Sequence, residues 1–255
     1  MKLVDPEEFK KQKVVVPQLP EYTFYPKDLP SQGIFYPDGF YVKVRPYTFG
    51  EIEYISQSSL PFHEILKFVL GGITTEKIDS EDLTLFDFMF LAIVRRLLSF
   101  GTEEYKLLAK CPQCGKEVSK IFNLQDIEFE DMKISLYKPL KIKYRDIELT
   151  LDVVRIRKLL ELKLQNQDLS PKDLLALHIN SLDFEQAKEF VSNLLAGEIE
   201  EFSAIVERYF YHGAKPLKIE CQCGYIIYKD LDREVDLIKP FRGPKTTPTF
   251  KILDN

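Results

Sequence analysis

Apolar residues recur along this chain with two different periods, and the switches between them outline the elements. From Leu29, "LPSQGIFYPDGFYVKVRPYT" places two short aromatic and β-branched runs, "IFY" and "FYVKV", on either side of Pro37-Asp38-Gly39. That arrangement predicts a β-hairpin turning at the tripeptide. From Thr48 to Phe100 the spacing becomes helical. Thr48 caps "FGEIEYISQ" with Glu51 as its capping-box partner, and "PFHEILKFVL" forms a second short helix ended by Gly71-Gly72. A longer helix runs from about Thr84, with Asp87 as box partner, to Phe100, with Gly101 as its stop. It is apolar on nearly every face, which predicts a central core helix.

The middle of the chain alternates as strands do. "EEYKLLAK" and "KEVSKIFNL" flank one pair of cysteines, and "KISLY", "PLKIKYR" and "IELTLDVV" follow, the last two forming a hairpin at Arg145-Asp146. Helical spacing returns from Arg155 to about His212. Its start signals are Ser170-Pro171 with Asp173, then Asp183 with Gln186, and Gly197 reads as the stop of the latter helix. "EIEEFSAIVERYFYH" carries Ile199, Phe202, Ile205, Val206 and Tyr209 near helical spacing. "PLKIE" and "YIIYKDL" then flank a second pair of cysteines. The expected fold is α+β: helical blocks packed on β-hairpins, with a split four-cysteine zinc ribbon joining two knuckle hairpins. Residues 1–28 and 239–255 read as extended arms around a single domain, 29–238. Within it come a hairpin and helices (29–104), a β region with the first knuckle (105–154), a helical block (155–212) and the second knuckle hairpin (213–238).

The four cysteines carry the candidate chemistry. "CPQCG" offers Cys111 and Cys114, and "CQCG" offers Cys221 and Cys223. A C-x-x-C-G loop supplies two thiolates to one tetrahedral zinc, because the tight turn brings both sulfurs to the ion. Glycine after the second cysteine allows positive φ, and its amide can point back at sulfur. The C-x-C pair is one residue shorter but can also chelate. One structural zinc on Cys111, Cys114, Cys221 and Cys223 is the expectation, against a metal-free remnant or a redox pair. Four thiolates would close the coordination shell, leaving no open position for catalysis. His212 could replace one cysteine but reads as a surface or helix-end histidine, and His63 and His178 show no ligand spacing.

Composition narrows the possibilities. The 255 residues are 45% hydrophobic and 13% aromatic, the make-up of a packed globular chain. Thirty-five basic and forty acidic residues give a net charge of −5, with no long run of one sign. That argues against nucleic acid as the main partner, since phosphate binding needs a concentrated positive surface. Lys106, Lys110, Lys116 and Lys120 near one cysteine pair, and Lys215 and Lys218 near the other, keep a zinc-ribbon nucleic-acid-binding or regulatory protein as the alternative reading. The amino terminus lacks the apolar core of a signal peptide. The most apolar stretch, Leu83 to Phe100, contains Asp87, Arg95 and Arg96, so it reads as a buried helix and not a membrane span. The expectation is a soluble chain made in a reducing compartment, where paired thiols bind metal more often than they form disulfides. No phosphate-binding glycine loop, G-x-S-x-G, H-E-x-x-H or dinucleotide fingerprint occurs, so no enzyme is expected.

The segment Leu29 to Glu51 is similar to the opening of proteins related to the T-even-type baseplate hub and baseplate assembly protein of contractile-tailed phages. The matching elements are Pro30, Ser31, Gly33, Tyr36, Gly39, Val44, Arg45 and Pro46. The order of later features resembles the family too: a helical block, a CPxCG knuckle, a second helical block, a second cysteine motif, and "IKPFRGP" with Phe241 and Arg242. The second motif departs from the family's commoner C-x-x-C. The resemblance implies a non-enzymatic baseplate subunit or assembly factor, acting in the host cytoplasm during assembly or resident in the virion tail. Its partners would be other phage tail proteins, met through Pro30, Gly33, Tyr36, Arg45, Pro46, Phe241 and Arg242.

Overall fold

A computed structural model describes residues 19–56, 60–100, 104–162 and 170–229. Strands β1 (Tyr22–Phe24), β2 (Tyr41–Val44) and β3 (Ile73–Glu76) form an antiparallel sheet with β2 in the middle. Helices α1 (Phe49–Ser56), α2 (Phe62–Leu70) and α3 (Leu85–Phe100) come with it. Hairpin β4 (Glu104–Lys110) and β5 (Glu117–Asn123) follows, then hairpin β6 (Leu140–Tyr144) and β7 (Ile147–Leu151). The second helical block is α4 (Ile156–Glu161), α5 (Pro171–Leu177), α6 (Phe184–Ser192) and α7 (Ala196–Phe210). Hairpin β8 (Leu217–Glu220) and β9 (Ile226–Lys229) completes the described chain.

Three apolar clusters hold these elements. Val42 and Val44 of β2 pack with Ile65, Leu66 and Val69 of α2, Phe88 and Leu91 of α3, and Ile156 and Leu159 of α4. Leu149 and Leu151 of β7 pack with Ala187 and Val191 of α6 and with Phe202, Val206 and Phe210 of α7. Ile93 of α3 meets Leu107 and Ala109 of β4 and Ile219 of β8 in the third. The all-round apolar character of α3 now has a cause: one side faces the first cluster and another faces the third. A short bridge fastens its start, where Leu85 N–H donates to Val154 O at 2.8 Å and Ile156 N–H donates to Leu83 O at 3.0 Å.

Several expected local signals form as read. Thr48 and Glu51 exchange hydrogen bonds at 3.2 and 2.7 Å, and both Ser170–Asp173 and Asp183–Gln186 close capping boxes. Arg145-Asp146 turns β6 into β7, with Arg145 at φ 52°. Tyr22–Phe24, inside the segment read as an arm, is extended and pairs with β2, while residues 1–18 lie outside those described.

Other expectations are corrected. "IFY" is not a strand: Gln32, Ile34 and Tyr36 N–H groups donate to Leu29, Ser31 and Gly33 carbonyls in successive turns. The reason is tertiary, since Phe35 enters the second cluster while Leu29 and Phe40 enter the first, and a straight strand cannot reach both. "KISLY" is also irregular: no strand forms over residues 133–137, and β6 pairs with β7 alone. Gly197 does not stop a helix. α6 ends at Ser192 with Asn193 as cap, and α7 starts at Ala196, where Leu195 N–H donates to Glu198 Oε2 at 2.8 Å. Gly101 lies outside the described residues.

Candidate metal centre

The cysteines sit at the tips of two hairpins whose strands face a shared core. Lys110 pairs with Glu117 below the first tip, and Glu220 pairs with Ile226 below the second. In the first knuckle, Cys111 N–H donates to Lys116 O and Gly115 N–H donates to Cys111 O, both at 2.9 Å. In the second, Cys221 N–H donates to Tyr225 O and Gly224 N–H donates to Cys221 O, again both at 2.9 Å. The same turn is therefore built with one residue fewer, which is how C-x-C matches C-x-x-C. Gly115 and Gly224 take φ of 73° and 85°, the left-handed position that closes each turn. Their amides meet a carbonyl and not a sulfur, which corrects that part of the expectation. The N–H groups of Gln113 and Cys114 face the Cys111 sulfur instead.

The four Sγ atoms lie within 4.8 Å of one another, and the cysteines are free thiols. Cys111 Sγ is 3.7 Å from Cys223 Sγ, and Cys114 Sγ is 3.6 Å from Cys221 Sγ, so each close pair takes one atom from each knuckle. Tetrahedral zinc with Zn–S near 2.3 Å separates its sulfurs by about 3.8 Å, so the donor set fits such an ion. Cys111 and Cys221 are buried, and Cys114 and Cys223 are exposed. Burial works to raise the Cys111 thiol, but hydrogen bonds from the Cys114 and Gln113 backbone together with those from the Cys114 and Cys223 side chains outweigh it and bring it to about 7. Backbone hydrogen bonding at Cys223 works to lower the Cys221 thiol, yet burial and its thiol neighbours push it up to about 12. Four thiolates at this spacing repel, and a cation is what would let all of them ionise together.

The segment expected to meet partners is engaged within the chain. Pro30, Gly33, Tyr36, Arg45 and Pro46 are all half-buried. Tyr36 stacks on Phe40 at 4.2 Å, and its hydroxyl donates to Asp87 Oδ2 at 2.5 Å. Gly33 has φ 76° and lies against Pro26. Arg45 grips both Glu51 carboxylate oxygens, at 2.8 and 2.7 Å. Phe241 and Arg242 lie outside the described residues.

Sequence reasoning missed a buried polar network. Asp87 does not close a capping box; its carboxylate accepts from Ser31 N–H at 3.0 Å and from Tyr36. His212 is fully buried and not at the surface. Its Nδ1 lies 2.9 Å from Phe210 O, which assigns the proton there, so Nε2 accepts from Thr84 Oγ1 at 3.0 Å. Thr84, Asp87 and His212 have no exposed surface, so this grouping fastens the turns after Leu29 to α3 and the end of α7. Nothing in one dimension flags it, because Thr84 and His212 are 128 residues apart and Ser31 is 56 residues from Asp87.

Among the described residues no helix is long and apolar enough to cross a membrane. Neither the curated proteins nor the solved structures gave a match to the chain. The family described as T4 bacteriophage base plate protein matches residues 20–233, a span that takes in the three-stranded sheet, both cysteine knuckles and every described helix, and the chain belongs to that family.

Proposed function

We propose that this chain is a structural or assembly protein of the contractile-tail baseplate hub, working through contacts with other tail proteins and stapled by one zinc ion. The observation that carries the baseplate role is the family match over residues 20–233. The metal reading is supported by four Sγ atoms within 4.8 Å, drawn from two knuckles more than a hundred residues apart. Thiolate donors favour zinc over hard cations, and a full set of four makes the ion structural. Zinc here would clamp β4–β5 to β8–β9 and so offset the entropy of closing a long loop. Cys111, Cys114, Cys221 and Cys223 are the proposed ligands.

The proposed contacts include the segment from Pro30 to Pro46, whose Pro37-Asp38-Gly39 tip is exposed, together with Phe241 and Arg242. The protein would act in the host cytoplasm during assembly and remain in the virion tail if it is a permanent subunit. Elemental analysis of protein purified without added metal is expected to give one zinc per chain. A Cys221→Ser, Cys223→Ser double variant should lose both the metal and thermal stability. Four freely titrating thiols and an unaffected variant would sink the zinc reading. Steeply salt-dependent DNA binding without any complex with tail proteins would favour the nucleic-acid alternative.

A further inference from the structure

A groove of about 450 Å³ opens between α5 and α7, beside the stretch that leads into β8. Its floor is apolar, with Phe86, Val154 and Val206 all buried. Phe86 meets Tyr211 edge to face there, with ring centroids 4.9 Å apart, and Pro171 and Pro216 stand exposed on the rim. The charged side chains that line it are Glu130 and Glu207, and no lysine or arginine is among the lining residues. Its histidine, His178, is lowered by burial to about 4 and so is neutral at pH 7. Nearby cations cancel only part of this negative charge. Lys133 pairs with Glu207 at 3.6 Å and Lys215 with Glu128 at 2.8 Å, which leaves Glu130 and its neighbour Asp131 in no ion pair among the described residues.

The described chain ends beside this groove. Lys229, the last residue of β9, pairs with Leu217, and the residue before Leu217 is Pro216 on the rim. Residues 230–255 follow, outside those described, and they contain a run of the opposite character. "KPFRGPKTTPTFK", Lys239 to Lys251, carries four cations and no carboxylate, with Phe241, Phe250 and a proline at every fourth position from Pro240 to Pro248. Proline at that spacing bars a helix. Proline-spaced segments seat on aromatic-walled grooves because they have little conformational freedom left to lose. Phe241 lies about twelve residues beyond Lys229, a reach of up to about 40 Å. A tether of that length gives a local concentration on the order of millimolar, so a contact too weak to hold a free peptide is still populated.

We propose that residues 239–251 of this chain occupy the groove, with Phe241 on its apolar floor and Arg242 and Lys245 against Glu130 and Glu207. The ring removes apolar surface from water, and the two cations meet carboxylates at a partly desolvated lip. Residues 1–18 fit less well, because their four lysines are interleaved with three carboxylates. The proposal does not rest on the baseplate role. Contacts of Phe241 and Arg242 with another tail protein would then require the segment to leave the groove.

The chain has no tryptophan, so Phe241→Trp makes the fluorescence of the full chain report that position alone, and Phe250→Trp reads the second ring. Emission from the full chain should lie to the blue of that from the same substituted 239–251 peptide free in solution. Acrylamide quenching should be severalfold weaker, and dilution should change neither. Ser203→Phe, which fills the groove from α7, should return the emission to that of the peptide. Glu130→Lys with Glu207→Lys should do the same. Adding Arg242→Glu with Lys245→Glu to that pair should restore the blue emission, a rescue that a folding defect would not give. Unchanged circular dichroism identifies variants that fold. Emission like the free peptide's at both positions overturns the proposal, as does blue emission that survives Ser203→Phe and the charge reversal. Blue emission that appears only as the chain dimerises assigns the groove to a second copy's segment and overturns it too. No tail protein enters the measurement, so the baseplate role stands or falls separately.

Discussion

Gly33 and Gly115 share a backbone conformation but not a neighbourhood. Both have φ above +70°, yet a Cβ at Gly33 would lie 2.3 Å from Pro26 Cβ, whereas one at Gly115 would meet nothing within 4 Å. Gly115→Ala should therefore cost only the left-handed strain, about 1–2 kcal/mol. Gly33→Ala adds a clash with a rigid ring and should cost about 3 kcal/mol or more. Urea unfolding of the two variants measures this, and equal losses would refute the argument. Glu51 offers a second residue-scale test. Burial works to raise its carboxyl, but Arg45, the Thr48 backbone N–H and the charge of Arg95 outweigh that and bring it to about 2. A depressed folded value means stability that is present above the ordinary carboxylate range and lost as pH falls from about 4.5 toward 2. Glu51→Gln should cost about 2–3 kcal/mol at pH 7, because it leaves the fully buried Arg95 guanidinium without its carboxylate. The gap from wild type should close near pH 2; a gap independent of pH would count against the assignment.

Elements show which signals are local. Ser170 and Asp183 cap α5 and α6 with partners three residues away, so both were legible without any tertiary context. Asp183→Ala should lose about 1 kcal/mol, with the denaturant slope unchanged. A loss of much less than half that would mean the cap is already satisfied by water. α3 shows the opposite case. Its length and burial were legible, but its role in two cores was not, because helical periodicity reports apolar faces without naming what covers them. The run "IFY" carries strand-like residues yet turns, since Leu29 and Phe35, which a strand would put on one face, enter different clusters. Thr84 and Asp87 have capping-box spacing, yet the carboxylate is taken by Ser31 and Tyr36 from 56 and 51 residues away.

Across the whole molecule, two buried histidines tie acid stability to the packing of α7. His178 stacks on Phe210 at 5.4 Å, and its Nδ1–H donates to Asp152 O at 2.9 Å. Burial lowers it to about 4, against the hydrogen bond to Asp152, which works to raise it. His212 is lowered by burial as well, with Asp87 opposing. In both cases the unfolded chain binds the proton first, so stability falls as pH drops below about 6.5, and for His178 until about 4. Each histidine contributes up to about 1.4 kcal/mol per pH unit within its window. Urea unfolding between pH 7 and pH 4 should show this slope, and His178→Gln should flatten it. An unchanged slope would mean that His178 is protonated without unfolding.

Whatever depends on neighbours a few residues apart is legible in one dimension: three capping boxes, the Arg145-Asp146 hairpin, and the two knuckles with a glycine closing each. The sequence also carried the motif order of the baseplate family, because that order is linear. The remainder depends on long-range packing. Only the fold brings four sulfurs from motifs more than a hundred residues apart to one point, splits a single helix between two cores, and buries His212 against Thr84. The physical reason is that local propensities are worth little beside burial. Phe35 goes where burial of its ring stabilises it most, and Asp87 goes where distant donors offset the cost of its desolvation.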